Sequence, residues 1–336
     1  MKIAIIGGGD VGRTLGVKLD ILDYDVTIVE SNLPKTIRID KYIMYNITGD
    51  FGEYSHLVKV LDKIEELDDD YDIIFICTRL FDGVDALRRV RSKIKSDGSI
   101  VTIHNITWID RAINQIDAQN AVFMHMDFSC YTLDDKTKVI DQNGVKLGIV
   151  SKDAFPQMQK VSEVLSKFCD VEQVKDIVGF TLGRNIINVA ISLLGAVSGK
   201  NLGKILLDRW GRKLFCEIIH ESMTLFADMN IKICPYNDQL DYYRFVSECK
   251  DGCSYKKKIL KVLRLNNPRV RSSILFDLEL NKKSEILTVV KSFIKHAQIR
   301  KIKIPKIVIL YKMVNEIIAG KRRISPNVFN DKILRK

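Results

Sequence analysis

Proline is scarce in this chain, and long apolar runs are missing. Its 336 residues include 6 prolines and 19 glycines, which excludes a collagen-like or low-complexity protein. The longest nearly apolar stretch, residues 186–197, is shorter than the about 20 residues that a transmembrane helix needs. The N-terminus leads directly into a short apolar run and glycines, so we expect no secretory signal. These features predict a globular protein with no membrane partner.

The cysteines fit neither a disulfide framework nor a zinc site. The chain has 7 cysteines, an odd and dispersed set that is typical of reduced thiols in a cytoplasmic protein. Cys249 and Cys253 stand four residues apart, but no histidine or second cysteine pair accompanies them at zinc-binding spacing. We therefore expect a cytoplasmic location and no metal.

Charge is divided unevenly along the chain. Residues 1–180 carry 22 Lys and Arg against 29 Asp and Glu, a net charge of −7, and residues 181–336 carry 31 against 13, a net charge of +18. Two domains with different surfaces are the simplest interpretation. The basic half could bind nucleic acid, an acidic membrane surface or a small anion. No nucleic-acid-binding motif accompanies it, so we expect no nucleic acid; a solvated surface or a wall that faces an anionic metabolite remain as alternatives.

A β-rich run, a glycine-rich turn and a helical pattern open the chain. Gly7, Gly9 and Gly12 match the pattern G-x-G-x-x-G. The first glycine permits the tight turn, the second lets the backbone approach a pyrophosphate, and the third lets helix and strand pack closely. The backbone amides of Asp10 and Val11, at the helix start, would then face the phosphates. The motif predicts a dinucleotide site, and the alternative is a glycine turn that binds nothing.

Glu30 ends the second predicted strand, 23 residues after Gly7. A carboxylate at this place can accept hydrogen bonds from both ribose hydroxyls of NAD, and it would repel the 2′-phosphate of NADP. The alternative is a solvent-exposed acid, with the phosphate held by Lys35 or Arg38. The sequence therefore favours NAD as the cofactor and leaves NADP open.

Through residue 177 the apolar pattern alternates between strand and helix. Such alternation predicts a parallel sheet covered by helices on both faces. Asn143-Gly144 separates two β-rich runs and predicts an additional hairpin, since Asn-Gly favours tight hairpin turns. The further predicted strands are 42–45, 72–78, 99–104 and 121–126, the hairpin runs are 138–140 and 145–150, the predicted helices are 53–67, 84–95 and 152–168, and 171–177 is a final strand or linker.

From residue 180 onward the strand pattern disappears and helical periodicity takes over. The sequence therefore predicts an α/β Rossmann-type NAD(P)-binding domain over 1–177, followed by an all-helical C-terminal domain over 178–336. The helix over 185–197 is apolar on nearly every side, which permits a homodimer contact or burial within one chain. The predicted helices are 185–197, 204–229, 238–249, 271–279, 283–299 and 305–319.

Five further segments carry a family resemblance. Cys77-Thr78-Arg79-Leu80-Phe81 follows the fourth predicted strand, and His104-Asn105 follows the fifth. Farther along, Arg184-x-x-x-Asn188 stands before the turn 198–203, and Ser272-Ser273-Ile274-Leu275-Phe276-Asp277 stands before Ser284-Glu285-Ile286. In this order, and together with the glycine loop, these segments resemble the ketopantoate reductase (2-dehydropantoate 2-reductase) family over most of the chain.

The resemblance implies NAD(P)H-dependent reduction of a small anionic 2-oxo acid. Within the family the reaction converts 2-dehydropantoate to pantoate, for pantothenate and coenzyme A synthesis. A family lysine on the central helix polarises the carbonyl and delivers a proton, and a glutamate holds that lysine. The resemblance assigns catalysis to Arg184 and Glu285, substrate binding to Asn188, Ser192 and Ser273, and cofactor contacts to Arg79 and Asn105.

Arg184 departs from the family, which has lysine there, and Ser192 stands where a second asparagine is usual. A guanidinium can polarise a carbonyl and clamp a carboxylate, but its pKa above ~12 makes it a poor proton donor. We predict that Arg184 pairs with Glu285 in an interdomain cleft, with Asn188 one turn beyond Arg184 on the same helix face. Taken singly, Glu285 could instead pair with a neighbouring lysine, Asn188 could bond another helix, and Ser273 could cap a helix.

These departures leave three functions open. The protein could reduce 2-dehydropantoate, with water or a substrate hydroxyl relaying the proton. It could be a related dehydrogenase that acts on another 2-oxo or imino acid. It could also be a non-catalytic dinucleotide-binding regulatory protein, since residues 1–50 alone also resemble the nucleotide-binding domains of potassium-transport regulators.

Overall fold

The structure is a computed structural model of the chain. It describes residues 1–31, 38–103, 117–133, 135–140, 144–236, 239–247 and 250–335, without the side chains at 38 and 250–252. The chain divides into two compact units, Met1–Ile177 and Val178–Lys336. The first is an α/β unit and the second is helical, which confirms the predicted fold class.

One mixed sheet of twelve strands organises the described part of the first unit. Its order is β12-β11-β8-β7-β6-β1-β2-β5-β4-β10-β9, and β3 pairs with β4. The strands are β1 (Lys2–Ile6), β2 (Asp25–Val29), β3 (Arg38–Ile39), β4 (Tyr42–Gly49), β5 (Tyr54–Leu61), β6 (Tyr71–Ile76), β7 (Ile94–Thr102), β8 (Ala121–Met126), β9 (Ser129–Leu133), β10 (Lys136–Ile140), β11 (Val145–Gly148) and β12 (Val171–Gln173).

The centre of this sheet is parallel. Strands β8, β7, β6, β1, β2 and β5 run in the same direction. The chain leaves β1 toward β2 on one side and returns through β6 on the other, so the strand order reverses between β1 and β6. In open α/β sheets such a reversal opens a ligand crevice at the carboxyl ends of the strands.

Three α-helices pack on the described sheet: α1 (Asp10–Ile21), α2 (Leu80–Val90) and α3 (Phe155–Leu165). Apolar side chains of α1 and α3 join one core cluster with Ile3, Ile5 and Phe75 of the central strands. Helix α2 packs against β6. Because alternate residues of a strand face opposite sides of a sheet, the helix layers bury nearly continuous apolar strands such as β1.

Two sequence predictions for this unit are wrong. Residues 54–61 form strand β5 rather than part of a helix, because Val58 and Val60 alternate into the core and β5 pairs antiparallel with β4. The runs 138–140 and 145–150 do not form a hairpin. β10 pairs with β9 and β4, whereas β11 pairs with β8 and β12 near the opposite edge.

The second unit is built from helices. Asp208 divides the predicted helix 204–229, since its side chain accepts hydrogen bonds from the amides of Trp210 and Gly211 and begins a new helix. The helices are α4 (Ile177–Ser198), α5 (Leu202–Leu207), α6 (Arg209–Asp228), α7 (Tyr242–Val246), α8 (Lys250–Asn266), α9 (Ser273–Glu279), α10 (Glu285–Arg300), α11 (Pro305–Ile318) and α12 (Lys332–Arg335). The sequence prediction missed α8 and made α7 too long.

Helix α4 is the apolar helix of the sequence analysis, extended at its N-terminal end. By length and composition alone it could cross a membrane, but 72% of its most apolar window is buried inside the fold. A mostly buried helix of this kind is typical of a protein core. In this structure α4 is therefore a buried core helix of the second unit.

Candidate functional site

The glycine loop joins the carboxyl end of β1 to α1. Gly7 has a φ of 107°, and a Cβ there would lie 2.8 Å from the backbone of Cys77. A Cβ on Gly12 would overlap the carbonyl oxygen of Gly7. Both glycines are therefore required by the fold itself, the first for backbone conformation and the second for close packing of helix and strand.

Gly9 differs from its neighbours because the protein does not require a glycine there. Its φ of −67° suits any residue, and no atom lies within 4 Å of a Cβ built on it. The amides of the first helical turn have no partners within the helix, and they follow Gly9 directly. Open space beside unpaired helix-start amides fits a pyrophosphate, so the loop passes a structural test for a dinucleotide.

A cavity of about 680 Å³ opens beside this loop. Its walls include the glycines 7–9, Glu30 at the end of β2, residues 62–64 after β5, and Phe81 on α2. Acidic side chains predominate in the lining, and Arg89, one of its cations, is paired with Glu65 at 2.7 Å. A concave cavity at the strand ends, in which carboxylates outnumber cations, is a typical place for a ligand in an open α/β sheet.

Glu30 lies in the wall of this cavity and is 9% exposed. Its carboxylate accepts a hydrogen bond from the Tyr45 hydroxyl at 2.8 Å and pairs with Arg13 at 3.4 Å. Burial raises the pKa of Glu30, and the contacts with Tyr45 and Arg13 oppose that effect. The alternative of a solvent-exposed acid is therefore wrong. Lys35 and the Arg38 side chain, the alternative phosphate ligands, lie outside the described residues.

The other predicted cofactor residues have separate surroundings. The Asp10 side chain accepts a hydrogen bond from the Thr132 hydroxyl at 2.5 Å. Its backbone amide lies in the first turn of α1. Val11 is partly buried against the core. Arg79 is exposed and is the N-terminal cap position of α2, and Asn105 lies outside the described residues. Their contacts with a cofactor stay a prediction.

Sequence reasoning missed Tyr45 and Arg13 as neighbours of Glu30. Arg13 is the first residue after the glycine motif, and its Nε also donates to the Gly8 carbonyl at 2.9 Å. A usable signal was Gly8, a glycine that the motif does not require: a Cβ there would overlap the Glu30 carboxylate. Tyr45 gave no sequence signal, because β5 lies between β2 and β4 in the sheet.

Arg184 lies on α4 of the second unit between two aromatic rings. Its guanidinium is 5.6 Å from the centroid of the Phe180 ring, one helical turn earlier, and 5.7 Å from that of Tyr236. Arginine stacks on aromatic faces through its planar guanidinium. The two rings therefore constrain the orientation of Arg184, the residue that the resemblance assigns to the family's lysine position.

A hydrogen bond joins α4 to the start of α9 at Ser192 and Ser272. Ser192 is 1% exposed, and its carbonyl accepts a hydrogen bond from the Ser272 hydroxyl at 2.7 Å. That hydroxyl also accepts from the amide of Leu275 at 3.1 Å and so caps α9. The capping role considered for Ser273 thus belongs to Ser272, and Ser273 is exposed.

Asn188 and Glu285 are both exposed in this structure. Asn188 lies one turn beyond Arg184 on α4, and Glu285 begins α10, where a carboxylate interacts favourably with the helix N-terminus. The ion pair between Arg184 and Glu285 stays a prediction.

Comparison with family models gives two matches. Residues 3–152 match the model described as ketopantoate reductase PanE/ApbA, and residues 176–318 match its C-terminal domain, ketopantoate reductase PanE/ApbA C terminal. The chain belongs to this family. Members of the family are oxidoreductases that act on 2-oxo acids with a nicotinamide dinucleotide. Among curated proteins no sequence matches.

Solved structures share the fold at low sequence identity. A PanE/ApbA family ketopantoate reductase from Ralstonia eutropha JMP134 has a TM-score of 0.77 and 15% identity, covering 96% of this chain and 100% of its own. D-mandelate dehydrogenase with NADH and anilino(oxo)acetate has a TM-score of 0.76 and 15% identity, covering 96% and 99%. A dimeric ketopantoate reductase from Staphylococcus aureus has a TM-score of 0.69 and 12% identity, covering 96% and 100%.

Proposed function

We propose that this protein reduces a small 2-oxo acid with a nicotinamide dinucleotide, and that 2-dehydropantoate is the first substrate to test. The observation that carries the proposal is the open space at Gly9, beside helix-start amides and a cavity of about 680 Å³. The family supplies the reaction class, since the dinucleotide delivers a hydride to the carbonyl carbon of the 2-oxo acid.

The first unit binds and orients the dinucleotide in this proposal. The amides that follow Gly9 hold the pyrophosphate, and the Glu30 carboxylate accepts hydrogen bonds from ribose hydroxyls. The acidic lining and the partial burial of Glu30 favour NADH over NADPH. Arg79 and Asn105 contribute further contacts, as the family resemblance implies.

The second unit supplies the charge that the reaction needs. Negative charge develops on the carbonyl oxygen during hydride transfer, and a fixed cation stabilises it. Arg184 has this role, because its stacked guanidinium is oriented before the substrate arrives. Glu285 positions Arg184, and Asn188 and Ser273, which are exposed, bind the remaining polar atoms of the substrate. Ser192, which is 1% exposed, supports this part of α4 from within. Water or a substrate hydroxyl relays the proton that arginine does not release.

A bulkier 2-oxo acid is the second candidate substrate. One structural neighbour is a D-mandelate dehydrogenase with anilino(oxo)acetate bound. Here the rings of Phe180 and Tyr236 flank Arg184, and aromatic surroundings favour an apolar substituent on the substrate. We further propose a cytoplasmic location and a homodimer, the latter because one neighbour is dimeric.

The test is steady-state oxidation of NADH and of NADPH by the purified protein with a panel of 2-oxo acids. The panel contains 2-dehydropantoate, benzoylformate and pyruvate. Turnover of the first supports the primary proposal, and preferential turnover of benzoylformate supports the second candidate. Dinucleotide binding without turnover of any 2-oxo acid would contradict both and favour the regulatory alternative.

A further inference from the structure

The carboxylate of Glu30 is held from behind the cavity wall by Tyr45. Gly8 and Glu30 line the cavity, whereas Tyr45 is 2% exposed and reaches the carboxylate from β4. The oxygen that Tyr45 contacts is Oε2, and this is also the oxygen that a Cβ on Gly8 would overlap. The hydroxyl therefore holds one carboxylate oxygen directly against the glycine loop.

Arg13 completes the arrangement from the other side of the carboxylate. Its Nη2 pairs with Oε1 of Glu30 at 3.4 Å, and its Nε donates to the Gly8 carbonyl at 2.9 Å. The guanidinium also lies over the Tyr45 ring, 5.3 Å from its centroid. Each oxygen of Glu30 thus has a protein partner before any ligand binds. Each also retains a lone pair that can accept a hydrogen bond from a ligand hydroxyl.

The Tyr45 hydroxyl makes the shorter of the two contacts to this carboxylate, at 2.8 Å against 3.4 Å for Arg13. Burial disfavours the charged form of Glu30, and the hydrogen bond from Tyr45 is the largest effect that opposes burial. Burial also raises the pKa of the Tyr45 hydroxyl, so this group remains a donor. Without it, the buried carboxylate would either take up a proton or turn toward solvent.

We propose that Tyr45 is a positioning residue for cofactor selectivity, which acts by holding the Glu30 carboxylate at the cavity wall where a 2′-substituent of the dinucleotide would lie. The inference rests on the proposed binding of a dinucleotide in this cavity. A fixed carboxylate accepts from the 2′-hydroxyl of NADH and repels the 2′-phosphate of NADPH. A carboxyl group that is protonated or displaced accepts more weakly from the 2′-hydroxyl of NADH and repels the 2′-phosphate of NADPH less.

The test is calorimetric titration of NADH and NADPH into the apoprotein, reported as the ratio of the NADPH Kd to the NADH Kd. In Glu30→Gln the ratio should fall about tenfold, because a charge-assisted hydrogen bond and a repulsion are both removed. In Tyr45→Phe, which removes one oxygen and retains the ring, it should fall by at least about threefold. In the double variant Tyr45→Phe with Glu30→Gln, the ratio should equal that of Glu30→Gln alone.

Tyr54→Phe is the matched control. The Tyr54 hydroxyl belongs to the adjacent strand β5 and contacts the buried Lys18 amine at 3.2 Å rather than Glu30. This variant should leave the ratio unchanged, and thermal melts should show that each variant is folded. A structural effect of Tyr45→Phe would weaken both dinucleotides equally and leave the ratio where it was.

Three results would overturn the inference. These are an unchanged ratio in Tyr45→Phe, an equal fall in Tyr54→Phe, or a further fall when Tyr45→Phe is added to Glu30→Gln. Failure of the proposed function looks different, since wild-type protein would then bind neither dinucleotide, or would bind one without turning over any 2-oxo acid.

Discussion

The two units present their candidate residues in different ways. In the first unit Gly8, Arg13, Glu30 and Tyr45 are joined to one another by hydrogen bonds and close contacts around one cavity. In the second unit the candidates come from α4 and from the first residues of α9 and α10. Helix α4 is joined to the start of α9 by the hydrogen bond of 2.7 Å from the Ser272 hydroxyl to the Ser192 carbonyl.

The difference follows from how each site is assembled. A strand, a turn and a helix that are contiguous in sequence fix the glycine loop within about twelve residues, so local rules find it. A site on three helices depends on tertiary packing, which no local pattern specifies. Predictions for the first unit therefore concern binding and selectivity, and those for the second concern turnover and its structural support.

The largest effect is expected at Arg184. Arg184→Ala should lower kcat by about a hundredfold to a thousandfold, the range typical for loss of a group that stabilises a developing oxyanion. Arg184→Lys should lose at least about tenfold in kcat/KM with the best 2-oxo acid, because lysine cannot stack between Phe180 and Tyr236 as a planar group.

Arg209→Ala is the control for this experiment. Arg209 is also an arginine over an aromatic ring in the second unit, 5.7 Å from Trp210, and has no proposed role in the reaction. Its removal should leave kcat within about twofold. If Arg184→Lys retains or exceeds wild-type turnover, the site needs only a cation, and the stacked clamp is wrong.

Two adjacent serines at the start of α9 are predicted to have different roles: Ser272 stabilises the fold, and Ser273 binds the substrate. Ser272→Ala removes the helix cap and the hydrogen bond to the Ser192 carbonyl, so it should lower the free energy of unfolding by about 1–2 kcal/mol. Ser273→Ala should leave stability within about 0.5 kcal/mol and raise KM for the 2-oxo acid. Denaturant unfolding and steady-state kinetics measure the two effects. Equal behaviour of the two variants would contradict the division of roles.

The smallest effect concerns pH and the first unit. Burial raises the pKa of Glu30 above its ordinary value of 4.5. The folded state then keeps a proton that the unfolded chain releases, so stability contributed by Glu30 is complete below pH 4.5 and falls as the pH rises through the raised pKa. The free energy of unfolding of Glu30→Gln, relative to wild type, should therefore rise across that window.

Denaturant unfolding at a series of pH values tests this sign. Glu53→Gln, which changes an exposed glutamate of the same unit, should show no such trend. If the free energy of unfolding of Glu30→Gln relative to wild type stays constant or falls as the pH rises, burial does not raise the pKa of Glu30 and this part of the account is wrong.

Sequence reasoning reached the elements whose signals are local. The glycine loop, β2 and the acid at its end all follow from patterns within about thirty residues, and the change to helical periodicity after residue 180 located the second unit. It fails at β5, because the pattern over 53–67 predicts a helix, whereas Val58 and Val60 alternate into the core of the sheet. It fails again at α8, whose buried apolar residues Ile259, Leu260 and Leu263 directly follow the three lysines 256–258 and stand beside Lys261 and Arg264.

Long-range pairing accounts for the remaining failures. Asn143-Gly144 favours a hairpin locally, but β10 and β11 find partners in other strands and lie near opposite edges of the sheet. Tyr45 contacts Glu30 only because β4 and β2 flank β5. Such contacts depend on strand order, which the sequence pattern of a single chain does not reveal.

The central claim is that the cavity beside Gly9 binds a nicotinamide dinucleotide, and the most direct measurement compares NADH binding with folding in Gly9→Ala. Among the described residues beyond its chain neighbours, no protein atom lies within 4 Å of the added Cβ, so the melting temperature should not fall. The NADH Kd should rise at least about tenfold, because the methyl group occupies the space of the pyrophosphate. Gly12→Ala, whose Cβ would overlap the Gly7 carbonyl, should lower the melting temperature as well. Unchanged NADH affinity in a fully folded Gly9→Ala protein would contradict the account.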